Sequence, residues 1–123
     1  GPQNFACFDL AGLESILRAT DLAPLRRRPV HDLSSGQQQR TALAAILALQ
    51  PRLVILDEPT MGQDWRHLST FMDFLVELNR TGCTILLITH DYKLVHRYAR
   101  RILLLRDGRI VADGAPAGRR RCG

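Results

Sequence analysis

The sequence predicts an α/β fold with parallel core strands flanked by helices, on three observations. Two short apolar runs, Leu53–Leu56 and Thr84–Ile88, have the length and composition of buried strands. Apolar residues recur at helical spacing before, between and after them. The resulting order of strand, helix, strand, helix, strand needs crossover connections, which parallel sheets use.

The elements follow from local signals. Asp9 is placed to cap a helix through about Thr20, with Leu10, Leu13, Ile16 and Leu17 on one face. Pro24, Arg26-Arg27-Arg28 and Pro29 form a connector. Ser34 or Ser35 then caps a long helix from about Gly36 to Gln50, stopped by Pro51. Residues 42–49 of that helix are wholly apolar, which predicts burial nearly all round. Leu53–Leu56 is expected to be a strand covered on both faces. A helix over 65–80 puts Leu68, Phe71, Met72, Leu75 and Val76 on one side and ends at Thr81-Gly82. Thr84–Ile88 is the second strand. Asp91 caps a short helix to about Arg100, and 101–106 with 109–112 form a β-hairpin around Asp107-Gly108.

Composition narrows the class. The chain of 123 residues is 46 % apolar and 24 % charged, which excludes disordered and collagen-like polymers. No apolar run approaches the roughly 20 residues of a membrane-spanning helix, and no charged-then-apolar leader is read. The formal charge is +5. Lys93 is the sole lysine, and the arginines cluster at Arg26–Arg28 and Arg119–Arg121. These clusters read as solvated surface and tail, with acidic partners or anionic headgroups as the alternative. Cys7, Cys83 and Cys122 lack metal-ligand spacing and fit free thiols, Cys83 as a small core residue. His31, His67 and His96 read as surface or packing residues.

Ligands of parallel sheets bind at the carboxyl ends of the strands. Asp57-Glu58 ends the first strand and His90 follows the second, so all three are expected at one edge. Adjacent carboxylates there need a cationic partner, for which magnesium is suited. Asp57 is the candidate metal ligand, and Glu58 the candidate proton acceptor from an attacking water. The alternative is that the pair merely caps the next segment. His90 is a candidate phosphate contact, or otherwise a satisfied strand-end histidine. Ser34-Ser35-Gly36-Gln37 opens a helix whose first amides and dipole favour an anion, or it is a plain N-cap.

These segments resemble the ABC-type ATPases. Leu33-Ser34-Ser35-Gly36-Gln37-Gln38-Gln39-Arg40 is similar to the family's signature motif, with Ser35 where glycine is usual. Leu53–Thr60 resembles the Walker B strand. Met61-Gly62-Gln63-Asp64 resembles the D-loop, with Gln63 where leucine is common, and Thr89-His90-Asp91 resembles the switch histidine. The resemblance implies a partial P-loop NTPase fold with ATP and Mg2+ as cofactors. Its N-terminal half is missing, because no Gly-x-x-x-x-Gly-Lys loop is present. Residues 1–32 would be part of the helical subdomain, 33–116 the C-terminal part of the ATPase core, and 117–123 a disordered tail. Asp57 would hold magnesium, Glu58 would be the general base, and His90 would sense the γ-phosphate. Ser34, Ser35, Gly36 and Gln37 would face ATP held by a second ATPase subunit, identical or paralogous, and Asp64 would couple the two sites.

The segment Gly1–Arg40 is similar to energy-coupling-factor and cobalt-type importer ATPases. That likeness implies uptake of a vitamin or metal ion through transmembrane permease subunits, at the cytoplasmic face of the membrane. The chain alone is expected to be inactive. Two other classes are weighed. One is an ABC-type ATPase acting on nucleic acid or the ribosome, against which no coiled-coil heptads precede Leu33. The other is a non-catalytic interaction module.

Overall fold

The computed structural model describes residues 10–60 and 65–116. The order of elements is α1 (Leu10–Ala19), α2 (Ser35–Ala48), β1 (Leu53–Asp57), α3 (Leu68–Arg80), β2 (Thr84–Ile88), α4 (Tyr92–Tyr98), β3 (Ile102–Arg106) and β4 (Arg109–Gly114). Short three-ten turns at Ala23–Leu25 and Val30–Asp32 carry the connector between α1 and α2. The chain divides into two compact units, Gly1–Leu87 and Ile88–Gly123.

In the first unit, α1 packs against α2 and α3. Its buried apolar residues come from α1 (Ile16, Ala19), the turn after it (Leu22), α2 (Ala44, Leu47), β1 (Val54, Leu56), α3 (Phe71, Met72, Leu75) and Cys83. Phe71 is fully buried. β1 pairs with β2. The amide of Thr84, the first residue of β2, donates to the carbonyl of Arg52, just before β1, at 2.8 Å. The two strands therefore start side by side and run parallel, with α3 as the crossover.

Helix ends follow local chemistry. The amide of Leu22 donates to the carbonyl of Leu17 and that of Asp21 to Arg18, the double closure that ends a helix with one left-handed residue. Asp21 is that residue, at φ +58°. Asp tolerates this region better than most side chains because it bonds locally. The same closure ends α3, with Gly82 at φ +111° and the amide of Cys83 on the carbonyl of Leu78.

In the second unit, Asp91 caps α4 by accepting from the amides of Lys93 and Leu94. β3 and β4 are antiparallel, and Arg106 pairs with Arg109. Asp107 and Gly108 both have positive φ, +52° and +75°, as the tight primed turn requires. A register shift between Leu104 and Leu105 leaves Val111 as the extra residue of a bulge.

Three expectations are corrected. Neither strand is buried as expected: in β1 Val54 and Leu56 are buried while Leu53 and Ile55 are more than half exposed, and in β2 Leu86 and Ile88 are nearly half exposed. Nor is α2 buried all round. Ala44 and Leu47 face the core, Ile46 is half exposed, and Leu49 just beyond the helix is 79 % exposed. The physical reason is common to both. An apolar run shows what a segment tolerates, and among the described residues no element covers these outer faces. Finally, α3 begins at Leu68, not at 65, because Trp65 and His67 are tied to other segments as described below. The start of the chain, Cys7, Met61-Gly62-Gln63-Asp64, the 117–123 tail and Cys122 lie outside the described residues.

Candidate functional site

The candidate anion site opens α2. Ser34 is the N-cap residue, and its Oγ accepts from the amide of Gln37 at 3.2 Å. The Gln37 side-chain oxygen accepts from the amide of Ser34 at 2.9 Å, completing a reciprocal capping box. Gln38 reaches back to the carbonyls of Val30 and Leu33, tying the preceding turn to the helix. Ser34 and Ser35 are exposed, and Gly36 and Gln37 half-buried. Capping thus engages Ser34 Oγ and Gln37 Oε1 within the chain. First-turn amides such as those of Ser35 and Gly36 have no acceptor inside the helix, and the helix dipole favours negative charge there.

The acid pair stands at the carboxyl end of β1. Asp57 is exposed and Glu58 half-buried. Glu58 has φ +46°, a left-handed conformation at a residue with a full side chain. Such a backbone costs about 1–3 kcal/mol and persists where its surroundings hold it. One support is visible: the carbonyl of the next residue, Pro59, accepts from Trp65 Nε1 at 3.1 Å. Among the described residues, no group of three His, Cys, Asp or Glu side chains could enclose a metal. A carboxylate such as that of Asp57 is the kind of ligand magnesium takes, one or two of them with water and phosphate oxygens completing the shell.

Trp65 is itself anchored. Its ring stacks on Phe71 with centroids 4.6 Å apart and planes at 25°. The guanidinium of Arg40 lies 5.5 Å from the indole centroid. Arg40 is only 5 % exposed and donates from Nε to the carbonyl of Thr20 at 2.9 Å. A second tie joins the end of α1 to the start of α3. Asp21 Oδ2 accepts from the amide of His67 at 3.3 Å, and Asp21 Oδ1 lies 3.0 Å from His67 Nδ1. A carboxylate at that helix start is favoured by the dipole.

His90 is exposed, in the second unit, just before the Asp91 cap of α4. Asp64 lies outside the described residues. Sequence reasoning singled out neither Arg40 nor Trp65 as a supporting residue. The available signals were an arginine just before the apolar stretch 42–49 of α2 and a lone tryptophan directly after the Asp57–Asp64 segment.

Comparison with known proteins decides the family. A family model described as ABC transporter matches residues 9–61. A putative ABC transporter ATP-binding protein of Enterococcus faecalis V583 is 51 % identical over 102 residues, covering 83 % of this chain and 18 % of that protein. The chain belongs to the ABC transporter ATP-binding family. Its fold is that of solved family members. CbiO1 of Clostridium perfringens, part of the ABC transporter complex CbiONQ, matches 87 % of this chain and 43 % of its own at 36 % identity and a TM-score of 0.67. An ATP-binding subunit of another ABC transporter matches 86 % of this chain and 44 % of its own at 28 % identity and a TM-score of 0.75. The chain therefore spans less than half of these solved chains and about a fifth of the Enterococcus relative. Among its described residues, no helix is long and apolar enough to cross a membrane.

Proposed function

We propose that this chain is the signature and Walker B portion of an ATPase that powers solute uptake through a membrane permease. The observation that carries the reading is the Asp57-Glu58 pair, presented at the carboxyl end of a strand in a parallel pair. The likeness to CbiO1, which is named as part of an ABC transporter complex, supports transport; uptake of a metal ion or vitamin rests on the resemblance of Gly1–Arg40 to importer ATPases. ATP with magnesium supplies the phosphoanhydride bond to be cleaved.

The chain's own residues would act as follows. Asp57 holds the magnesium ion. Glu58 orients the attacking water and takes its proton as general base. His90 donates a hydrogen bond to a phosphate oxygen. The first-turn amides of α2, with Ser34, Ser35, Gly36 and Gln37, meet a nucleotide presented by a second ATPase unit, and Asp64 couples the two sites. Residues 1–32 belong to the helical subdomain that touches the permease, on the cytoplasmic side of the membrane. The Enterococcus relative is more than twice as long as the solved ATPases, judging from the share of each that this chain spans. Such a length has room for both ATPase units in one polypeptide.

The test uses the intact protein. Glu58→Gln should abolish ATP hydrolysis while MgATP still binds, and Asp57→Ala should weaken binding only where magnesium is present. Reconstituted with its permease, the wild-type protein should drive ATP-dependent solute uptake. The 123-residue chain alone should show no turnover. Hydrolysis without any coupled uptake would refute the transport reading and leave the ATPase reading standing.

A further inference from the structure

We propose that Trp65 is a positioning residue for Glu58, and that Arg40 ties this support to the helix bearing Ser34–Gln37; the inference rests on Glu58 acting as general base. The argument starts at the backbone. Glu58 holds a left-handed conformation that is uncommon and costly for a non-glycine residue. The next residue is proline, whose ring fixes φ. Fixing the Pro59 carbonyl therefore leaves few soft torsions between that point and the Glu58 Cα. The Trp65 indole N–H fixes it, at 3.1 Å.

The indole can serve as an anchor because it is immobilised. One ring partner is Phe71, which is fully buried in the core of the first unit. A second partner is the Arg40 guanidinium, which the carbonyl of Thr20 holds in place. Arg40 lies on α2, six positions beyond the Ser34 cap. A continuous set of contacts thus runs from the signature helix through Arg40 and Trp65 to the peptide that follows Glu58. Trp65 itself touches no reacting group in this account; it acts through Pro59.

Trp65→Phe keeps an aromatic ring against Phe71 and removes the N–H. In the intact ATPase it should lower kcat roughly tenfold, since small misplacements of a catalytic group are costly. KM for ATP should stay unchanged. In the Glu58→Gln background the same change should have no further effect, because the group being positioned is already gone. A purely structural role predicts the reverse: a lower melting midpoint with kcat intact. Should Trp65→Phe fold poorly, benzothienylalanine at position 65 keeps the fused rings and lacks only the N–H donor; it should lower kcat at an unchanged melting midpoint.

A readout without nucleotide is available: Trp65 is the only tryptophan of these 123 residues, and its emission in the intact ATPase is the part that Trp65→Phe removes. Arg40→Met should increase acrylamide quenching of its emission, and an unchanged quenching constant overturns the role given to Arg40. Wild-type kcat in Trp65→Phe, or loss that multiplies with Glu58→Gln, overturns the positioning role while leaving the general base in place. Turnover persisting in Glu58→Gln itself removes the general-base reading instead. The two failures are thus read from different variants.

Discussion

The guanidinium of Arg40 lies 5.5 Å from the centroid of the Trp65 indole, and its Nε donates to the carbonyl of Thr20 at 2.9 Å. One buried cation thus joins the end of α1, the signature helix α2 and the segment entering α3. Replacing it by methionine keeps most of the volume but leaves the Thr20 carbonyl without this donor. Arg40→Met should destabilise the intact protein by about 1–3 kcal/mol in urea denaturation, the usual cost of orphaning a buried polar group. Arg40→Lys should recover only part, because an ammonium lacks the planar fork that serves a carbonyl and an aromatic face together. An unshifted midpoint in Arg40→Met would contradict this description.

The capping box of α2 gives a second prediction. Ser34→Ala removes the oxygen that accepts from the Gln37 amide. The loss should be about 0.5–2 kcal/mol. Ser34→Asp should restore stability, because a carboxylate caps equally well and suits the helix dipole. In the proposed function it should also reduce ATP turnover, by placing negative charge where a phosphate approaches. Denaturation and ATPase assays on the same two variants separate these effects; an active, fully stable Ser34→Asp would argue against a phosphate at this helix.

A pH prediction comes from α1. Arg26 Nη2 donates to Glu14 Oε2 at 2.8 Å, with the other nitrogen on Glu14 Oε1. This hydrogen bonding holds the Glu14 carboxyl below its ordinary range, and desolvation opposes it only in part. A carboxylate depressed in the folded state stabilises it above the unfolded value, and that contribution is lost as pH falls through the folded one. Both groups are exposed, so salt should weaken the effect. Glu14→Gln should therefore lose a small stabilising contribution at neutral pH and show none at acid pH. A stability difference that grows on acidification would contradict the assignment.

Much of the element order was legible in the sequence, for local reasons. Ser34, Asp91 and the Asp107-Gly108 turn each carry their own hydrogen-bond or backbone preference, so neighbouring residues suffice to place them. The Cys83 thiol, read as core, is buried. What sequence patterns could not give was coverage. Leu53, Ile55 and Ile46 are as apolar as their buried neighbours, yet they face outward, because burial depends on elements far away in the chain. The Trp65–Pro59 bond spans only six positions, but no periodicity encodes it. The Asp21–His67 tie joins residues 46 positions apart and is equally invisible to local pattern. Asp57 and Glu58 were legible as a pair by their place after an apolar strand. The left-handed backbone of Glu58 was not, since the residue type argues against it.

Steady-state ATP hydrolysis by the intact protein carrying Glu58→Gln tests the central claim most directly. Removing a general base should lower turnover by about two orders of magnitude or more, with MgATP binding retained. Turnover close to that of the wild type would contradict the account.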